Sequence, residues 1–170
     1  MPLLYVAAVC ILYYPVLGGA EGFGWDTIES YWPDLAFFAD QLAQGEWPLW
    51  NPYDRGGYPF YADPQASSLY PLQWLFGLVG AATDTPWWLI QAKMLAHHVL
   101  AGALMHAFLR SRGLERSAAI IGALALICSA PWLIHKASNV LLPMAWTPLV
   151  WIAIDKFASH PSRRRGMRLA

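Results

Sequence analysis

Residues 45–71 read GEWPLWNPYDRGGYPFYADPQASSLYP, and the class of the whole chain turns on how this stretch is understood. It holds five prolines (48, 52, 59, 64 and 71), the pair Gly56-Gly57 and seven aromatic residues. Proline and glycine at this density exclude a continuous helix or a central strand. A disordered linker would be poor in Trp and Tyr. The stretch therefore reads as a built loop, held by aromatic packing, and long ordered loops commonly serve binding.

Apolar runs flank it. Residues 2–20 carry no charged side chain, and nineteen helical residues would span about 28 Å, the thickness of a bilayer core. A cleavable signal peptide competes for this segment, helped by Gly18, Gly19 and Ala20, but no Lys or Arg precedes the run. Further runs cover 87–109, 117–134 and 140–157. Of 170 residues, 57% are hydrophobic and 13% charged, against about a quarter charged in soluble domains. Nine of the eleven acids fall between residues 20 and 86, while seven arginines cluster at 110–116 and 163–168. By the positive-inside rule those basic segments face the cytoplasm and the acidic loop faces out.

The expectation is an all-α integral membrane protein with about four transmembrane helices, multi-pass in a plasma membrane. A first span covers 1–20, an extracytoplasmic loop 21–86, three further spans 87–157, and a basic cytoplasmic tail 158–170. Within the loop, 33–44 reads as a short helix: Pro33 suits its first turn, Asp34 its positive end and Gly45 its stop. Leu35, Phe38, Ala39 and Leu42 share one face. The apolar segment 69–82 is too short to cross and reads as interfacial or re-entrant. A chain ending just after a fourth span reads as the N-terminal portion of a longer polytopic protein.

Cys10 and Cys128 lie in apolar runs as small hydrophobes, and no metal, dinucleotide or P-loop spacing is present. Zero net charge argues against a nucleic-acid partner. Asp26, in GFGWDTIESYWPD between Trp25 and Trp32, is either a partly desolvated general base or a helix cap with Glu29. Asp34 and Asp40 can serve a divalent cation or a sugar, or be a solvated helix face. Arg55 can hold a phosphate bidentately, or pair with Asp54 or Asp63. Trp50, Tyr53 and Tyr61 offer flat faces for a sugar ring, or an aromatic belt. Lys93 and His97, one helical turn apart, mark a polar cavity, although snorkelling would also explain Lys93. His135 and Asn139 line the same site or satisfy a turn.

With those residues in view, the chain resembles the YfhO-like bacterial membrane proteins of the GT-C glycosyltransferase group. The pattern G-x-x-PLW-x-P, G-x-P-x-x-A-x-x-Q, YP is met by Gly45, Pro48, Leu49, Trp50, Pro52, Gly57, Pro59, Ala62, Gln65, Tyr70 and Pro71. His135 and the run AWTPLVWIAID resemble a later part of the family. Relatives often show Gly-Asp where this chain has Trp25-Asp26. The resemblance implies transfer of a sugar from a polyprenyl-phosphate carrier to an envelope glycan or lipid acceptor on the outer face. It implies Asp26 as catalytic base; by their own chemistry Asp34, Trp50, Tyr53, Arg55, Tyr61, Asp63, Gln65, Lys93 and His135 are the substrate-binding candidates. Arg55 or Lys93 would neutralise the leaving phosphate. A metal is not assigned, though a divalent cation would be compatible. The alternative is a non-enzymatic polytopic protein, a transporter component or assembly subunit, with Lys93, His97 and His98 on its solute path.

Overall fold

The structure, a computed structural model, describes residues 2–19, 21–24, 26–135, 138–139 and 141–159. Trp25 and most of the expected basic tail lie outside the described residues. By its internal contacts the chain divides into two compact units: residues 13–96 with 135–139, and residues 1–12 with 97–134 and 140–170.

The first of these units is built on two helices. After the short helix α1 (Pro2–Leu12), which belongs to the other unit, come α2 (Tyr14–Leu17) and a π-helical turn over Thr27–Tyr31. That turn runs directly into α3 (Trp32–Ala43). Pro33 sits in the first turn of α3, and Gly45 ends the segment at φ +72°. The second helix, α4 (Pro71–Thr83), again starts on proline and stops at Asp84, which adopts the left-handed conformation.

The two helices lie close because α4 offers glycine at the seam. A Cβ on Gly77 would stand 2.5 Å from the Phe38 ring, and one on Gly80 would stand 2.9 Å from the Ala39 Cβ. Leu35, Phe38 and Ala39 are buried on this face of α3. The loop of residues 45–71 folds onto the same helices. Phe37, Phe38, Tyr58, Phe60 and Ala66 form one buried cluster, with Leu42 and Trp74 packed against it. Phe37 and Phe60 meet edge to face at 4.8 Å, and Phe38 meets Trp74 at 5.3 Å. Within the loop, Asn51 and Tyr58 exchange both backbone hydrogen bonds, 2.9 and 3.0 Å, around the Asp54–Gly57 turn. Gly57, at φ +95°, lies under the Trp50 indole, whose ring leaves no room for a side chain there.

The other unit takes α1 together with the part of α5 (Trp87–Ser111) after residue 96. To these it adds α6 (Arg116–Ile127), α7 (Ala130–Ile134), α8 (Leu141–Met144) and α9 (Thr147–Ser159). Tyr5 reaches His106 Nδ1 at 2.8 Å, and Gly102 admits the Tyr5 ring. Arg112 pairs with Asp155 at 2.9 Å.

This architecture corrects the expected four-span membrane fold and the multi-pass plasma-membrane location that rested on it. No helix among the described residues is long and apolar enough to cross a membrane. The apolar runs are interrupted as helices. The first ends at Leu12 and restarts around Pro15, leaving an 11-residue helix that rises about 16 Å. The third breaks at Cys128-Ser129, ahead of Pro131. The fourth breaks at Ala145-Trp146, between Pro143 and Pro148. Proline removes a backbone donor and restarts a helix rather than continuing it. At 25 residues α5 has the length, but Gln91, Lys93, His97, His98 and His106 interrupt its apolar character.

Candidate functional site

In the unit of residues 13–96 and 135–139, α3, the 45–71 loop and the end of α4 enclose an open cavity of about 820 Å³. The outward face of α3 forms one wall, and its alanines, Ala36 and Ala43, leave room there. Asn51, Tyr53 and Asp54 form the second wall, and Gly80, Ala81, Asp84 and Thr85 the third, with Glu29 contributed by the π-helical turn ahead of α3. Asp84 and Thr85 both have positive φ, 57° and 44°. Their turn presents the Thr85 carbonyl to the Trp32 indole, whose Nε1–H donates at 3.0 Å. Trp87 meets Trp32 edge-on at 6.0 Å, so this ring is held at the cavity wall.

Four carboxylates line the cavity: Glu29, Asp40, Asp54 and Asp84. The nearest loop cation, Arg55, is engaged with carboxylates already. It pairs with Asp54 and Asp63 at 3.3 Å each and covers the Tyr58 ring at 4.9 Å. The cavity is therefore rich in hydrogen-bond acceptors and poorly suited to an anion. Asp40 also accepts the Gln44 side-chain amide at 2.7 Å. Asn51 is almost wholly buried, and its Oδ1 accepts the Tyr53 N–H at 3.0 Å, closing a turn of the kind Asn favours.

Behind the loop wall lies a buried polar set. Asp34 is 5% exposed and accepts a 2.9 Å hydrogen bond from the Tyr58 hydroxyl. Burial pushes the Asp34 carboxyl up to about 6, although the Tyr58 hydrogen bond works against the rise. Burial also raises the Tyr58 phenol, helped by the Asp34 charge, while a hydrogen bond from the Asn51 side chain opposes it. Lys93, 1% exposed, donates to Gln73 Oε1 at 2.6 Å. Burial brings its ammonium down to about 7, and the Asp34 charge opposes that fall.

The sequence candidates scatter around this centre. Tyr53 stands at the cavity wall, 84% exposed, with Phe37 edge-on at 6.3 Å. Asp34 and Lys93 belong to the buried set. Asp26 is exposed, makes no capping hydrogen bond through its side chain and is not among the residues lining the cavity. Trp50 covers Gly57, and Tyr61 packs on Trp47 at 6.2 Å. Asp63 binds Arg55 and the Gln65 N–H, and the Gln65 carbonyl accepts the Asn139 amide. His135 is half-buried, its carbonyl taking the Ser138 N–H. Among the described residues, no group of three or more His, Cys, Asp or Glu side chains could hold a metal ion.

Sequence reasoning passed over Asn51, Asp84 and Gln73. For Asn51 a signal existed, since Asn-Pro is a turn-initiating pair. Gln73 had none, because its partner Lys93 is twenty residues away. Comparison with protein-family models, curated proteins and solved structures finds no match. The resemblance to YfhO-like proteins thus rests on the residues quoted for it alone.

Proposed function

We propose that the protein binds a carbohydrate in the cavity between α3 and the 45–71 loop. The observation that carries this reading is the combination lining one cavity: the rings of Trp32 and Tyr53 beside the acceptors of Asp40, Asn51 and Asp54. A sugar ring has apolar C–H faces that stack on an aromatic and hydroxyls that donate to carboxylates and amides. The volume lies in the range of small-molecule sites. The acidic lining disfavours a free phosphate or another anion.

Saturation-transfer NMR with a panel of glucose, galactose, mannose, N-acetylglucosamine and their disaccharides tests it. At least one of these should receive saturation from the protein. Tyr53→Ala and Asp40→Asn should each weaken that sugar's binding about tenfold. If no sugar in the panel shows transfer at millimolar concentration, the reading fails.

Glycosyl transfer at the same cavity is a second reading, favoured by four carboxylates, Glu29, Asp40, Asp54 and Asp84, around one volume. Inversion at the anomeric carbon needs one carboxylate to take the proton of the acceptor hydroxyl. A polyprenyl-phosphate sugar is the donor class that the resemblance implies, and in this reading only its sugar enters the acidic cavity, the phosphate staying outside it. Incubating the protein with a short-chain prenyl-phosphate sugar and the bound sugar as acceptor, and assaying for product, separates transfer from binding. Comparing Asp26→Asn with Asp40→Asn and Asp54→Asn then identifies the base.

A further inference from the structure

Glu29 and Asp84 come to the same end of the cavity from different elements. Glu29 stands on the π-helical turn three residues, about one helical turn, ahead of Trp32. Asp84 immediately precedes Thr85, whose carbonyl takes the Trp32 indole N–H at 3.0 Å. Both acids line the cavity beside that ring, and both are exposed. Asp84 and Thr85 have φ of 57° and 44°, a conformation that is an outlier for a β-branched residue such as Thr85. Their turn is nevertheless pinned. The Thr85 N–H donates to the Gly80 carbonyl at 3.1 Å, and a Cβ on Gly80 would stand 2.8 Å from Thr85 Oγ1.

This end of the cavity is electronegative for a second reason. The helix α4 reaches the cavity only by its C-terminal turn, through Gly80 and Ala81, where backbone carbonyls carry partial negative charge. The helix α3 lies along the cavity from Pro33 to Ala43, so its two ends offset each other. None of the fifteen residues lining the cavity is Lys, Arg or His. Residues 13–96 carry nine acids against two bases, Arg55 and Lys93. Arg55 is paired with Asp54 and Asp63, and Lys93 is buried on Gln73. Among the described residues, no group of three or more His, Cys, Asp or Glu could hold a metal ion. Two carboxylates beside an indole suit a larger cation, an ammonium that donates N–H to carboxylates and is drawn to an aromatic face.

We propose that the cavity takes an amino sugar, its ammonium held by Glu29 and Asp84 against Trp32 and its hydroxyls by Asp40, Asn51 and Asp54. This deepens the carbohydrate reading and rests on it for the sugar ring. An ammonium adds charge attraction to the hydrogen bond that a hydroxyl already makes with a carboxylate. An N-acetylated sugar has lost that charge and keeps one neutral N–H donor. Glu29 and Asp84 then hold it no better than they hold a hydroxyl.

Calorimetric titration with glucosamine, glucose and N-acetylglucosamine at about pH 6.5, where an amine of this kind is charged, tests the assignment. Glucosamine should bind about tenfold tighter than either neutral sugar. Its affinity should fall as salt rises from about 20 to about 300 mM, while that of glucose stays level. Glu29→Gln and Asp84→Asn should each shrink the preference to about threefold, and together remove it. Asn tolerates the left-handed conformation at position 84, so the turn survives the change. Glucosamine bound within about twofold of glucose overturns the inference and leaves the carbohydrate reading standing, and that arm needs no variant. A preference that survives in the folded double variant overturns it as well, by placing the ammonium elsewhere. If ethanolamine binds as tightly as glucosamine while glucose does not bind, the sugar ring is not recognised, and the carbohydrate reading falls together with the inference.

Discussion

Asp34 and Asp40 stand six residues apart on one helix and occupy different media. Six residues are roughly 1.7 turns, so the two carboxylates leave α3 on different faces. Asp34 points inward, 5% exposed, onto the Tyr58 hydroxyl from the folded-back loop. Asp40 points outward to the cavity, where water and the Gln44 amide solvate it. Identical chemistry thus does two jobs. The inward acid organises the wall through fixed partners, and the outward acid remains available to a ligand. The contrast is enforced by packing, because Leu35, Phe38 and Ala39 fix which side of α3 meets α4.

The largest break in this contrast comes from undoing the packing that turns α3. Phe38 is fully buried against Trp74, Phe60 and Gly77. Phe38→Ala should cost about 3–5 kcal/mol in urea unfolding and should expose Asp34 along with the core. A loss below about 1 kcal/mol would mean that α3 is not held by this face.

Changing pH reads the inward acid directly. The folded pKa of Asp34, about 6, lies above its ordinary 3.8, so between those values the folded state holds a proton that the unfolded chain has released. Stability from this group is therefore greatest below pH 4 and falls as pH rises through 6. Lys93 does the reverse. Its folded value of about 7 lies below 10.5, so stability rises from pH 7 toward 10.5. Together they give a trough between about pH 6 and 7. Its acid side should be up to about 3 kcal/mol deep, two pKa units at about 1.4 each. Asp34→Asn should flatten the acid limb and, by removing the charge that holds Lys93 up, deepen the basic limb, while Lys93→Met should flatten the basic limb. An acid limb that survives Asp34→Asn would assign it to another group.

How much of this was legible in the sequence differs by feature. The extent of α3 could be read from Pro33, Asp34 and Gly45 because start and stop signals are local chemistry. The loop could be read as ordered because seven aromatics between prolines need something to pack on. The membrane reading failed for a definable reason. Hydropathy counts apolar residues along the chain, whereas spanning needs them in one unbroken helix, and Pro15, Pro131, Pro143 and Pro148 divide the runs. The same apolar runs leave large hydrophobics such as Leu3, Ile11 and Tyr14 exposed. At the site, the separation of Asp34 from Asp40 follows from helical spacing alone. The Tyr58 hydrogen bond onto Asp34 does not, since it forms only when the loop closes across a separation of 24 residues.

A subtler test compares two tyrosines of the loop. Tyr58 is buried with its hydroxyl on Asp34, whereas Tyr53 is 84% exposed at the cavity. Tyr58→Phe leaves a buried carboxylate without its donor and should cost about 2 kcal/mol. Tyr53→Phe should change stability by less than about 0.5 kcal/mol. Equal losses in calorimetry at pH 8 would erase the distinction between the two walls of the loop.

The smallest expected effect on stability is the most informative about function. Asp40→Asn keeps the shape of the side chain and its exposure, and the Gln44 amide still finds an oxygen to bond. Its unfolding free energy should stay within about 0.5 kcal/mol of wild type. What changes is the cavity, which loses one of four acceptor carboxylates. A hydrogen bond from a ligand hydroxyl to a carboxylate is stronger than one to an amide, so sugar affinity should fall while the fold stays intact. An Asp40→Asn protein that unfolds more easily would place Asp40 with Asp34 as a structural acid. One that binds unchanged would move the ligand toward Asp54 and Glu29. Only loss of binding at constant stability keeps the two faces of α3 assigned as they are here, with the inner one holding the wall and the outer one meeting the ligand.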